Sequence, residues 1–259
     1  MARPSRQRSP RISRLRTSIR NRISPLLHAL AGKWLQFCET RRTLSIKGVL
    51  ERDPATLSAH EFYGPLKGVK YYDLQTAYNE GFQEGPLAPG CALDERLKKA
   101  IATYNCCMWA CVGLWDHLHK VLGDDPDYIE IKAMEVYVWP RLVLFPPGEK
   151  HGEEGYVAHT YMVIKFRCGI SFIFDPTGYQ FGFSKILYSL GEYEVDILNP
   201  FWQQPREYDV EAQIRFNKEV MAYEDIDLAR PTFDGMKTRK PGPLMQDIAF
   251  QLLGFASQL

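Results

Sequence analysis

Polar and hydrophobic residues alternate over residues 128–139. A period of two predicts a β-strand that buries one face. Two further runs, 157–166 and 170–174, are rich in β-branched and aromatic residues and predict two more strands. Only the tripeptide Arg167-Cys168-Gly169 separates these runs, so we expect the second and third strands to form a hairpin.

The length of the hairpin loop decides which residues share a face of the sheet. A two-residue loop, Cys168-Gly169, would put Asp175 on the face away from His159. A three-residue loop with a left-handed Gly169 pairs Phe166 with Ile170, and Asp175 then lies diagonal to His159 on the same face, within reach of a hydrogen bond. Because glycine at the third loop position favours the longer loop, we predict this second register.

Apolar residues recur at helical spacing in residues 23–37, 94–102 and 106–122, and these segments predict helices. Asp94 is suited to cap the start of the second one. Residues 215–222 and 244–257 also have helical patterns. Helices mixed with hairpin-connected strands predict an α+β fold.

Charge divides the 259-residue chain into two parts. Residues 1–38 hold eight arginines, Lys33 and no acidic residue. Nine of the 32 basic residues lie there, which leaves 23 against 31 acidic residues in the remainder. We therefore predict a basic Arg/Ser-rich leader over residues 1–44, partly disordered and ending in an amphipathic helix. A single α+β domain then covers residues 45–259.

The charge division also limits the partners that we expect. An acidic body argues against nucleic-acid binding by the body. The basic leader is suited to an import receptor or an anionic surface, and mitochondrial and nuclear targeting both remain open. No apolar run approaches the length of a membrane span, so we predict no transmembrane segment.

Cysteine usage favours an intracellular, cytoplasmic setting. Three of the six cysteines crowd one predicted helix, which is a poor layout for disulfides, and the chain has no Asn-X-Ser/Thr acceptor. Cys107, Cys111 and His117 or His119 could suggest zinc. Structural zinc sites usually place their cysteines on turns rather than along a continuous helix, so we predict no metal and no cofactor.

The chain order cysteine, histidine, aspartate suits a thiol nucleophile. A helix N-terminus and a nearby imidazolium both lower the pKa of a thiol. A carboxylate holds the histidine in one tautomer. The candidate histidine is His159, at the start of a strand, and the candidate carboxylate is Asp175, at the end of the next strand.

These residues resemble the papain-like thiol-enzyme superfamily, especially its transglutaminase-like and papain-fold-toxin-like branches. The resemblance covers residues 95–185 and is carried by His159-Thr-Tyr-Met-Val-Ile, by Asp175-Pro176-Thr177-Gly178-Tyr179-Gln180-Phe181 and by Asn105-Cys106. It implies a papain-like or transglutaminase-like core in which the cysteine-bearing helix packs on an antiparallel sheet. It also implies a peptidase, deamidase or transglutaminase-like activity on the amides of a protein or peptide substrate.

The resemblance to an Asn-Cys helix start favours Cys106 as the nucleophile. The Trp-Ala pair after Cys107 is similar to papain, with Met108 inserted, so Cys107 remains the alternative. Successive helical residues point about 100° apart, and only one of the two can face His159. No glutamine precedes either cysteine closely, so backbone N–H groups would form the oxyanion hole, with Asn105 or Gln180 as helpers. A catalytically inert binding or structural module with the same fold is the alternative function.

Overall fold

The structure is a computed structural model that describes residues 10–44, 46–56, 68–76, 82–88, 90–145, 158–198 and 204–215. The predicted helices at 215–222 and 244–257 lie outside the described residues, apart from Arg215. None of the helices in the described part of the chain is long and apolar enough to cross a bilayer.

Helices and strands are mixed along the chain, as the sequence predicts. The helices are α1 Pro10–Thr40, α2 Glu95–Ala102, α3 Cys107–Gly123, α4 Leu190–Asp196 and α5, residues 210–215. The strands are β1 Arg42–Leu44, β2 Ile46–Arg52, β3 Lys70–Thr76, β4 Phe82–Glu84, β5 Tyr128–Tyr137, β6 Leu142–Phe145, β7 Ala158–Phe166, β8 Ile170–Phe174, β9 Leu187–Ser189 and β10 Arg206–Tyr208. Short 3₁₀ helices lie at Pro54–Thr56, Arg167–Gly169 and Gly178–Phe181.

An antiparallel sheet with the order β10-β5-β7-β8-β9 forms the centre of the fold. Helices α1 and α3 cover one face of it, in a core that includes Leu114, Met162 and Ile164. The other face carries a second apolar cluster with Tyr161 and Tyr193. The cysteine-bearing helix therefore packs on an antiparallel sheet. A smaller sheet has the strand order β2-β3-β6, in which β3 and β6 are parallel. This smaller sheet packs against α2.

The hairpin between β7 and β8 has the predicted three-residue loop. Phe166 pairs with Ile170, and Gly169 is left-handed with φ 68°. Cys168 is also left-handed, with φ 59°, which the sequence did not indicate. The predicted register is confirmed, and it brings the end of β8 beside the start of β7.

Helix α1 extends far into the segment expected to be a partly disordered leader. It begins at Pro10, and its buried stripe starts at Ile19 rather than at Ile23. Arg22 donates to both Asp125 and Asp127, which anchors the basic part of the helix to the loop before β5. The difference arises because the apolar stripe continues toward the N-terminus among the arginines.

Candidate active site

His159 and Asp175 form a buried hydrogen-bonded pair. His159 is the second residue of β7, and Asp175 directly follows β8. The His159 Nε2 atom lies 2.8 Å from Asp175 Oδ2, and both side chains are 0% exposed. The hairpin register explains the contact, because it places the two residues on one face at adjoining strand ends.

Other donors also hold the Asp175 carboxylate. The Tyr193 hydroxyl, from α4, donates to Oδ2 over 3.0 Å. The backbone N–H of Thr177 donates to Oδ1 over 3.3 Å, and the Thr177 hydroxyl lies 3.5 Å from the same oxygen. A Cβ atom at Gly178 would stand 2.7 Å from Oδ2, so the turn after Asp175 leaves room for hydrogen alone. These contacts therefore hold the carboxylate in position independently of its hydrogen bond to the imidazole.

The imidazole ring of His159 is held edge-on against Phe181, with the ring centroids 4.9 Å apart. Since Nε2 is bound to Asp175, only Nδ1 is left to act on another group. Among the described residues Nδ1 has no conventional hydrogen-bond partner, although it is buried. An imidazole with one nitrogen anchored and the other open is the arrangement expected of a general acid–base.

Cys107 is the cysteine that interacts with His159. It is the first residue of α3 and is partly exposed. Its thiol interacts with the His159 side chain and with the backbone N–H groups of Thr160 and Met108. Of the two candidate cysteines, the alternative, Cys107, is thus the one that His159 influences.

Cys106, the first choice from the sequence, points elsewhere. It is buried ahead of α3, its Sγ lies 3.3 Å from the Tyr104 carbonyl oxygen, and its thiol interacts with that of Cys38. Because α3 begins one residue later than expected, Cys106 faces the core under α1. The structure therefore brings Cys107, His159 and Asp175 together and leaves Cys106 out.

The electrostatics of the site favour a thiolate–imidazolium pair. Burial raises the pKa of the Cys107 thiol, but the His159 imidazolium and the backbone N–H groups outweigh burial and leave this pKa below its usual value. Burial lowers the pKa of His159, but the charge and hydrogen bond of Asp175, with a smaller contribution from Cys107, raise it to about 10. At neutral pH the imidazole is therefore protonated, and its charge favours ionisation of the Cys107 thiol.

Gln180 and Asn105, the two predicted oxyanion helpers, have different surroundings. The Gln180 Oε1 atom accepts the backbone N–H of Asn105 over 3.0 Å, which ties Gln180 to the start of the cysteine-bearing helix. Within the described part of the chain, the Gln180 Nε2 atom is buried without a partner. Asn105 is itself exposed and left-handed, with φ 54°. Gln180 thus keeps a free donor close to the helix start.

Two contributors to the site were not found from the sequence. Tyr193 lies 18 residues after Asp175 in another element, and nothing in the local pattern marks it. Thr177 belongs to the Asp-Pro-Thr segment quoted for the resemblance, but no role followed from its position. Over the described ranges, no group of three or more histidine, cysteine or acidic side chains is placed to hold a metal ion.

Comparison of the chain with models of known families, with curated proteins and with solved structures gives no match.

Proposed function

We propose that this protein is a cysteine-dependent acyl-transfer enzyme that acts on peptide or side-chain amides, with the papain-like or transglutaminase-like arrangement that its motifs resemble. One observation carries the proposal. A buried Asp175–His159 pair leaves a single imidazole nitrogen without a hydrogen-bond partner among the described residues, and that imidazole lowers the thiol pKa of Cys107, a partly exposed residue. A histidine that only filled the core would not need a carboxylate on one side and a thiol of lowered pKa on the other.

The chemistry proceeds in two steps. The Cys107 thiolate attacks the amide carbonyl carbon, and the C=O electron pair moves to oxygen. When the C–N bond breaks, its electrons go to nitrogen, His159 gives that nitrogen its Nδ1 proton, and the amine leaves a thioester on Cys107. Water or a second amine then attacks the thioester carbon, and His159 takes the proton of the incoming group. The C–S bond breaks with its electrons going to sulfur, which releases the acyl product and restores the Cys107 thiolate. Water makes the enzyme a peptidase or deamidase, and an amine makes it a transferase.

Charge on the carbonyl oxygen is stabilised at the start of α3. The first N–H groups of a helix have no intrahelical partner and carry partial positive charge. The Gln180 Nε2 group is a further donor with no partner of its own among the described residues. Its position is fixed because its Oε1 atom is bound to Asn105.

An active ester tests the proposal without knowledge of the natural substrate. Treated with p-nitrophenyl acetate, the protein should release a burst of nitrophenolate and gain one acetyl group on Cys107, detected by mass spectrometry of the peptides. Cys107→Ser should abolish the burst. Cys106→Ser is the matched control and should keep it. Gln180→Glu retains the acceptor for the Asn105 N–H and should slow the burst by roughly 10- to 100-fold.

The opposite result supports the inert module. Uniform, slow acetylation of several cysteines, unchanged in Cys107→Ser and in His159→Ala, would mean that the histidine and aspartate only stabilise the fold. Acetylation that depends on Cys106 would overturn the assignment of the nucleophile.

A further inference from the structure

A short turn, residues 103–106, connects α2 to the cysteine-bearing helix α3. Helix α2 ends at Ala102, and α3 begins at Cys107. Within the turn, Asn105 is left-handed, with φ 54°. A right-handed residue at this point would let the chain continue helically from α2 into α3. The left-handed conformation of Asn105 therefore separates the two helices.

Side chains from remote parts of the chain hold this turn on both sides of Asn105. The Asn105 backbone N–H donates to Gln180 Oε1 over 3.0 Å, from a residue 75 positions away. The Tyr104 carbonyl oxygen accepts from Arg41 Nη2 over 3.4 Å, from a residue 63 positions away. The same oxygen accepts from the Cys106 thiol over 3.3 Å. The fold as a whole therefore fixes the backbone of the turn.

A fixed turn determines where α3 begins, and the start of a helix determines which side chains face a given neighbour. Successive helical residues point about 100° apart. Cys106 is 1% exposed and its thiol bonds back to the turn, whereas Cys107 is partly exposed and lies under the influence of His159. A helix that began one residue earlier would exchange the directions of these two thiols.

We propose that Asn105 is a positioning residue, whose left-handed backbone, and not its side-chain amide, presents Cys107 instead of Cys106 to His159. This inference rests on the proposed function for the identity of the nucleophile. Asparagine takes the left-handed region more readily than most other residues with a side chain, and the Asn105 side chain is exposed. Glycine takes this φ without strain, whereas a β-branched residue resists it.

Alkylation by iodoacetamide, resolved by site, tests the role of the Asn105 backbone. Tryptic peptide 100–120 contains both Cys106 and Cys107, and fragment ions distinguish them. In the unchanged chain and in Asn105→Gly, Cys107 should react at pH 7 faster than Cys106 by roughly tenfold or more. In Asn105→Val the rate at Cys107 should fall by roughly tenfold or more, and its pH midpoint should rise toward that of an ordinary thiol.

The glycine variant distinguishes the backbone from the side chain. An equal fall in Asn105→Gly would assign the effect to the amide and overturn the proposal. So would an unchanged rate and pH midpoint in Asn105→Val when circular dichroism shows it folded. Should the valine variant not fold, Asn105→Ala replaces it. It should react several-fold more slowly at Cys107 than Asn105→Gly, and equal rates would contradict the proposal.

The unchanged chain separates this inference from the proposed function. Equal alkylation of Cys106 and Cys107 there would contradict the selection of Cys107. Preferential alkylation of Cys107 without a nitrophenolate burst would instead support the positioning role and count against acyl transfer alone.

Discussion

Asp175 determines which ring nitrogen of His159 is free to exchange a proton with another group. Its Oδ2 atom accepts from the His159 Nε2 atom and also from the Tyr193 hydroxyl, so the ring cannot turn without losing a buried hydrogen bond. The cost of leaving a buried carboxylate oxygen short of a donor is large. Nδ1 therefore stays on the side where Cys107 begins its helix.

His159 should control the pH dependence of Cys107 reactivity. The Cys107 pKa is lowered and the His159 pKa is raised to about 10, so the ion pair exists between these two values. Below the lower value the thiol is protonated, and above the higher one the imidazolium is lost. In His159→Ala only burial and the backbone donors remain, so the thiol pKa rises and alkylation by iodoacetamide at pH 7 should fall by roughly tenfold or more.

The control for that experiment is His119→Ala, which removes a histidine at the far end of α3 that contacts Tyr128. Its labelling rate at Cys107 should match that of the unchanged chain across the pH range. Labelling that rises only near the ordinary thiol pKa in the unchanged chain would argue against a thiolate at this site.

Tyr193→Phe should destabilise the fold and shift the upper pH limit of the thiolate–imidazolium pair. The variant removes one donor to a buried carboxylate, which should cost about 2 kcal/mol in the free energy of unfolding. With one donor fewer, Asp175 attracts the His159 proton more strongly, so the upper limit of the pH–rate profile should shift to higher pH. Tyr161→Phe, in the same aromatic cluster, removes a hydroxyl that donates no hydrogen bond to Asp175 among the described residues, and it should leave the profile in place. An unshifted limit in Tyr193→Phe would restrict Tyr193 to packing.

At the scale of single elements, the 3₁₀ turn Gly178–Phe181 packs against the Asp175 carboxylate and holds it in position. Gly178→Ala would set a methyl group 2.7 Å from Asp175 Oδ2 and 3.2 Å from the Phe183 ring, closer than such atoms approach. The carboxylate must then move off His159. We expect the alkylation rate of Cys107 to fall by more than tenfold while circular dichroism stays close to that of the unchanged chain.

Gly191→Ala is the matched control for Gly178→Ala, because a Cβ at that position of α4 meets nothing within 4 Å. It should react at the normal rate. If the two alanine variants reacted alike, the close packing behind Asp175 would have no role in placing His159.

The sequence predicts local elements well and non-local choices poorly. Gly169 predicts the three-residue loop, because the geometry of a loop depends on the residues within it. That loop length sets the strand register, and the register brings His159 to Asp175. By contrast, the local sequence does not predict which cysteine faces His159. Starting a helix one residue later turns its side chains by about 100°. Here Cys106 is also buried against Cys38, from an element more than sixty residues away, which no local pattern reports.

At the scale of the whole molecule, α1 forms part of the framework around the site. It contacts both α2 and α3, and its C-terminal turns lie next to the residue before Cys107. Arg22 ties its basic part to Asp125 and Asp127. An arginine-rich composition suggested a solvated tail, because a count of charges does not record the buried apolar stripe that lies among the arginines.

Two adjacent leucines of α1 test this view. Leu27 is 0% exposed within the core shared with α3, whereas Leu26 is 43% exposed. Leu27→Ala should lower the free energy of unfolding by about 3 kcal/mol, since it leaves a cavity under the cysteine-bearing helix. Leu26→Ala, with the same chemistry one position earlier, should change it by no more than about 0.5 kcal/mol. Urea denaturation of both variants measures the difference. Equal, small effects would mean that α1 does not pack on the body in solution, and Cys107 would then begin its helix without the support described above.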